Sequence, residues 1–73
     1  MKDLNRIKVV LAERKCTNKW LAAELDKAPA PVSKWCTNSS QPDLATLKRV
    51  AIVLGVDIRE LLVPTPQKAL EHE

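Results

Sequence analysis

Few side chains in this sequence could carry out covalent chemistry. Cys16 and Cys36 are the thiols and His72 is the one imidazole. The thiols form neither a C-x-x-C pair nor a Cys/His metal spacing. No Ser/His/acid or Cys/His set can be built around a histidine at the end of the chain. Arg14 and Lys15 put positive charge beside Cys16, without a nucleophile motif. One glycine cannot make a glycine-rich phosphate loop. The expectation is therefore no enzyme, no metal and no cofactor. Hydrogen bonding and positive charge remain. Residues 37–41, TNSSQ, offer five hydrogen-bonding side chains in a row. Residues 1–38 hold eight basic against four acidic residues, a net +4, whereas residues 39–73 hold four against five, a net −1. A basic half with a polar loop suits an anionic partner.

The elements that must position these groups are legible around Thr17–Asn38, TNKWLAAELDKAPAPVSKWCTN. Thr17 is a good N-cap, because its hydroxyl can accept an orphan N–H of a first turn. Leu21, Ala22 and Leu25 follow on one face at helical spacing, so a helix should run from Thr17 to about Leu25. Val32, Trp35 and Cys36 make the apolar stripe of a second short helix ending near residues 35–37. Between them Asp26-Lys27-Ala28-Pro29 breaks the period. This is the outline of a helix-turn-helix, a unit that can lay its second helix in a DNA major groove.

Inside that outline, Asp26 tolerates a left-handed conformation better than most residues but less well than glycine. Ala28 stands at the N-cap of the second helix, where a missing capping side chain costs about 1 kcal/mol. Pro29 suits a first helical position. Pro31 pushes Ala30 away from helical angles, so the helix either has a strained first turn or starts late, at Pro31. Trp20 adjoins Leu21, so both cannot face the core. It either covers the first helix from the flank or touches a partner. Trp35 should be core, against Leu21 and Leu47.

The remaining elements are helical too. A first helix is expected over residues 3–14, capped by Asp3, with Leu4, Ile7, Val10 and Leu11 buried. Pro42-Asp43 should open a fourth, with Leu44, Leu47, Val50, Ala51 and Leu54 inward and Gly55 as its left-handed stop. Asp57-Ile58-Arg59-Glu60 reads as a D-x-x-E capping box opening a fifth helix, with Ile58, Leu61 and Leu62 inward. Pro64 and Pro66 end regular structure. The expected organisation is one domain, residues 1–63, and a disordered tail, residues 64–73, in which Leu70-Glu71-His72 is similar to residues left by expression vectors. With no long apolar run and no leader pattern, a cytoplasmic protein with reduced thiols is expected.

Beyond the outline, the chain resembles the helix-turn-helix family of the phage lambda repressor and Cro, also called the XRE family. The match is carried by Thr17-Asn18, Leu21-Ala22, Leu25, Val32-Ser33-Lys34-Trp35, Pro42, Leu47, Ala51, Leu54-Gly55-Val56 and Glu60-Leu61-Leu62, from about Asn5 to Leu62. The resemblance implies an all-α, five-helix lambda-repressor-like DNA-binding domain. It departs from the family at Asp26, where glycine is usual, and at Ala28, where a polar cap is usual. The family's base-reading positions fall on Pro29, Ala30, Ser33 and Lys34. A lysine there can donate to guanine O6 and N7, whereas Pro29 and Ala30 can touch only a thymine methyl. The family's phosphate contacts fall on Thr17, Asn18, Lys19, Thr37, Asn38 and Ser40, with Lys27 nearby.

The implied function is a repressor-type transcriptional regulator binding double-stranded DNA as a homodimer. Val56, Ile58 and Val63 are the expected dimer contacts. No membrane and no small-molecule ligand are implied. The Ala28–Pro31 run favours a different class, a helix-turn-helix fold used as a protein-interaction or oligomerisation module or engineered scaffold.

Overall fold

The computed structural model describes residues 3–66. Within them the chain forms four α-helices: α1 (Ile7–Glu13), α2 (Asn18–Leu25), α3 (Pro29–Cys36) and α4 (Leu44–Leu54). A single 3-10 turn, Ile58–Leu61, follows. The one β-type contact among the described residues is an isolated antiparallel bridge between Asn5 and Leu62.

The apolar period of each element is spent on one core. Ile7, Val10 and Leu11 of α1 meet Leu21, Ala22 and Leu25 of α2, Val32, Trp35 and Cys36 of α3, and Leu47, Val50, Ala51 and Leu54 of α4. Leu61 closes the core from the 3-10 turn. Each fully buried aliphatic side chain of this kind contributes about 1.5–3 kcal/mol, and that is what a chain this small has to hold it together.

All four helices stop the same way. A residue takes the left-handed conformation, its N–H bonds three residues back, and the next N–H bonds five back. The four are Lys15 (φ 58), Asp26 (φ 57), Asn38 (φ 61) and Gly55 (φ 70). The paired bonds are Lys15 N–H to Ala12 O and Cys16 N–H to Leu11 O, then Asp26 to Ala23 and Lys27 to Ala22. Asn38 to Trp35 with Ser39 to Lys34, and Gly55 to Ile52 with Val56 to Ala51, repeat the pattern. A Cβ on Gly55 would meet no atom within 4 Å, so its backbone angle alone calls for glycine.

Several expectations are corrected. The fifth helix is only the 3-10 turn. Asp57 Oδ1 accepts the Arg59 N–H at 2.8 Å, and Glu60 N–H bonds Asp57 O at 2.8 Å, an i to i+3 bond. The D-x-x-E capping box therefore does not form. Leu62 is extended (φ −115, ψ 140), and the position before Pro64 disfavours helix, so the turn cannot lengthen. The first helix starts at Ile7, because residues 4–6 are used otherwise. Val63 N–H bonds Leu4 O at 3.0 Å and Arg6 N–H bonds Leu61 O at 2.8 Å. Asn5, rather than Asp3, accepts the Ile7 N–H, at 3.0 Å. Leu4, Leu44 and Leu62, all expected inside, are exposed to 57%, 73% and 42%. Each lies at or beyond an element's end, where the helical stripe has run past the core. Residues 64–66 are exposed and without helix or strand; the rest of the expected tail lies outside the described residues.

Candidate nucleic-acid interface

Thr17 begins the motif as its side chain predicts. It is extended (φ −106, ψ 163), and its Oγ1 accepts the Trp20 N–H at 3.0 Å. That leaves Asn18 and Lys19 in the first turn of α2. The Asn18 Oδ1 accepts a hydrogen bond from the Cys36 thiol at 3.2 Å, joining the start of α2 to the end of α3. Burial pushes the Cys36 thiol pKa up, partly opposed by the positive charge of Lys8. Lys8, on the exposed side of α1, thus stands close to this junction. Trp20 is 38% exposed and stays outside the core.

The open question at Pro31 is settled: α3 begins at Pro29, with Ala28 as an extended N-cap that makes no side-chain bond. The prolines explain why this is tolerated. Of the first three helical residues, only Ala30 has an N–H, so a cap would have little left to satisfy. The same prolines strip hydrogen-bond donors from the tip of α3, and residues 28–31 are all exposed.

Across α3 the two faces separate cleanly. Val32, Trp35 and Cys36 are buried, while Pro29, Ala30, Ser33 and Lys34 are exposed. Pro29 and Ser33, like Ala30 and Lys34, are four apart and stack on one outward face. Lys34 lies in the last turn rather than near the start. Its carbonyl anchors the following loop, accepting from Ser39 N–H at 2.9 Å, Ser40 N–H at 3.4 Å and Thr37 Oγ1 at 3.2 Å. Thr37 Oγ1 also pairs with Ser39 Oγ at 2.7 Å. Ser40 is exposed.

Asn38 is placed differently from its neighbours. Its Oδ1 accepts from Leu4 N–H at 2.8 Å, Asn5 N–H at 2.9 Å and Gln41 Nε2 at 3.1 Å. Its Nδ2 donates to Asn5 O at 3.2 Å. The amide that the resemblance aims at phosphate is spent inside the chain. Asn5, which sequence reasoning missed, and Gln41, read only as part of the polar loop, belong to this end of α3. Asn38 directly after a helix was the available signal, since asparagine is the usual substitute for glycine at a left-handed stop.

Charge is divided by residue type. Arginines are committed to carbonyls at element ends: Arg6 to Glu60 O at 2.8 Å, Arg14 to Gly55 O at 3.4 Å and Arg49 to Leu25 O at 3.2 Å. Arg59 pairs with Asp57 at 3.0 Å, the one ion pair among the described residues. Lys8, Lys19, Lys27 and Lys34 are exposed and make no such pair with any described residue. Lys27 sits near the start of α4. The Asp43 carboxyl there is held below the ordinary carboxylate range, first by its hydrogen bonds from Thr46 and further by the charge of Lys27.

At the far end, Val56 and Ile58 are half-buried against the core and Val63 is half-buried beside Leu4. Val63 also lines an open hollow with Asp3, Leu4, Pro64, Thr65 and Pro66. No group of three His, Cys, Asp or Glu able to hold a metal occurs among the described residues. None of their helices is long and apolar enough to cross a membrane.

Comparison with known proteins agrees with this geometry. The model of the Cro/C1-type HTH DNA-binding domain matches residues 6–67. A crystal structure described as that of a "putative DNA-binding protein from Bacteroides fragilis" is 53% identical, with a TM-score of 0.81, over 82% of this chain and 97% of that one. No curated protein matches the chain.

Proposed function

The chain belongs to the Cro/C1-type helix-turn-helix DNA-binding domain family, and from that premise we propose that it is a repressor-type transcriptional regulator. It binds duplex DNA with α3 in the major groove. The observation that carries this reading is the outward face of α3. Pro29, Ala30, Ser33 and Lys34 are exposed, and among the described residues the Ser33 and Lys34 side chains make no hydrogen bond or ion pair. The Bacteroides fragilis structure, similar over most of its length, supports it.

In this reading Lys34 donates to guanine O6 or N7, and Ser33 bonds a base or phosphate. Pro29 and Ala30 lie against thymine methyls. Thr17, Asn18, Lys19, Lys27, Thr37 and Ser40 hold the phosphates and fix register. Two copies bind a two-fold symmetric site, joined through Val56, Ile58 and Val63, because one domain of this size covers few base pairs. The site of action is the cytoplasm, where free Cys16 and Cys36 stay reduced.

A mobility-shift assay with random and selected duplexes tests the reading. The expected result is binding at low salt that weakens steeply as salt rises. Absence of duplex binding at low salt would replace it with the interaction-module reading, which the exposed apolar tip at residues 28–31 favours. Sedimentation with DNA present tests the dimer; a monomer at high concentration would remove it.

A further inference from the structure

Three side-chain amides, Asn5, Asn38 and Gln41, close a hydrogen-bonded knot under the C-terminal end of α3. Asn5 is 5% exposed and fully used. Its Oδ1 accepts from Ile7 N–H, and its Nδ2 donates to Trp35 O at 3.0 Å and to Gln41 Oε1 at 2.7 Å. Trp35 O is one of the orphan carbonyls at the end of α3. The knot therefore ties the end of α3 to the start of α1. Through the Asn5–Leu62 bridge it also reaches the C-terminal segment.

We propose that Asn38 is a positioning residue for DNA binding. Acting through Asn5, it fixes the end of α3 and the loop of residues 37–40, so that Lys34 and the loop hydroxyls meet one duplex together. This rests on the duplex-DNA reading above. The leverage is geometric. An eight-residue helix is about 12 Å long, so a tilt of about 10° shifts one end by roughly 2 Å relative to the other. Polar contacts tolerate only a few tenths of an ångström around 2.7–3.2 Å, roughly their whole useful range. A reading helix released at one end cannot satisfy base edge and phosphate at once.

The test is a double-mutant cycle on duplex affinity, measured where circular dichroism shows every variant fully folded. Asn38→Gly keeps the left-handed backbone and deletes the amide. Asn5→Ala changes a buried residue that cannot reach DNA. Each single variant should lose roughly tenfold in affinity, about one hydrogen bond to a charged group. The double variant should lose less than the sum of the two, because the Asn38 bonds to the backbone of residues 4 and 5 and the Asn5 bond to Trp35 O hold the same end of α3, and both are needed to fix it. A loss in Asn38→Gly without one in Asn5→Ala would make Asn38 a direct phosphate contact and overturn the proposal. So would lowered melting temperatures with unchanged affinity, which is what a merely structural knot gives. Should Asn5→Ala not fold, Gln41→Ala replaces it, since its amide bonds both partners, and the same non-additivity is required. Failure of the wild-type chain to bind duplex at all would remove the functional reading, and this inference with it.

Discussion

The side-chain oxygen of Asn38 accepts the backbone N–H of Asn5 at 2.9 Å, across 33 residues of chain. One residue thereby does two jobs. Its backbone, at φ 61, turns the chain out of α3, and its side chain fastens the segment that opens α1. Glycine could do the first and not the second. The end of α3 is thus attached to the segment that opens α1, 33 residues earlier in the chain.

The repeated left-handed helix stops differ in residue type, and that difference is measurable. Asp26→Gly should stabilise the domain by a few tenths to about 1 kcal/mol, and Lys15→Gly by about as much or more, since lysine has no short polar group to ease the strain. Urea midpoints at unchanged slope would read this. A lower midpoint for Asp26→Gly would mean that the carboxylate has a further role.

Lys34 separates base reading from backbone binding. Lys34→Ala should cost about 1–3 kcal/mol on a selected site and much less on random DNA. Lys19→Ala and Lys27→Ala should weaken both DNAs alike and flatten the salt dependence by about one unit per lost phosphate contact. Equal weakening of all sequences by Lys34→Ala would make it a phosphate contact.

The donor-poor tip of α3 should read methyl groups. Replacing contacted thymines by deoxyuridine, which removes only the methyl, should weaken binding about fourfold per methyl buried. Ala30→Gly should abolish that difference. Duplexes with and without the methyls binding equally well would take Pro29 and Ala30 out of the reading face.

Acid stability should follow the capping carboxylates. Asp43 lies below the ordinary carboxylate range through its Thr46 hydrogen bonds, and Asp57 does so through those from Arg59. A folded-state pKa below the unfolded value contributes stability above the unfolded value and loses it as pH falls toward the folded one. Melting temperature should therefore be level near neutrality and fall below about pH 4. Asp43→Asn and Asp57→Asn should shrink that acid fall; an unchanged fall would assign it to other groups.

The sequence by itself determined the helix-turn-helix. Thr17, Leu21, Leu25, Val32 and Trp35 specify caps and buried stripes through interactions within a few residues, and such local rules hold wherever the chain is packed. The outward placement of Lys34 follows from the same period. Gly55 was legible as a left-handed stop because residue type and angle are linked, and Asp26 only through the family position that is usually glycine. The ends of the chain were not legible. Asp57 caps as read, but Glu60 does not complete the box, and Asp3 looked like a cap where Asn5 does the capping, because Leu4 with Val63 and Arg6 with Leu61 form backbone hydrogen bonds that exist only once both ends meet. That pairing shortened α1 and held the fifth element to one 3-10 turn. It also turned Asn38 inward, since its amide finds Asn5 only in the folded chain. Local periodicity fixes which faces are apolar; which polar groups remain free for a partner is decided by contacts between distant residues, and those belong to the tertiary structure.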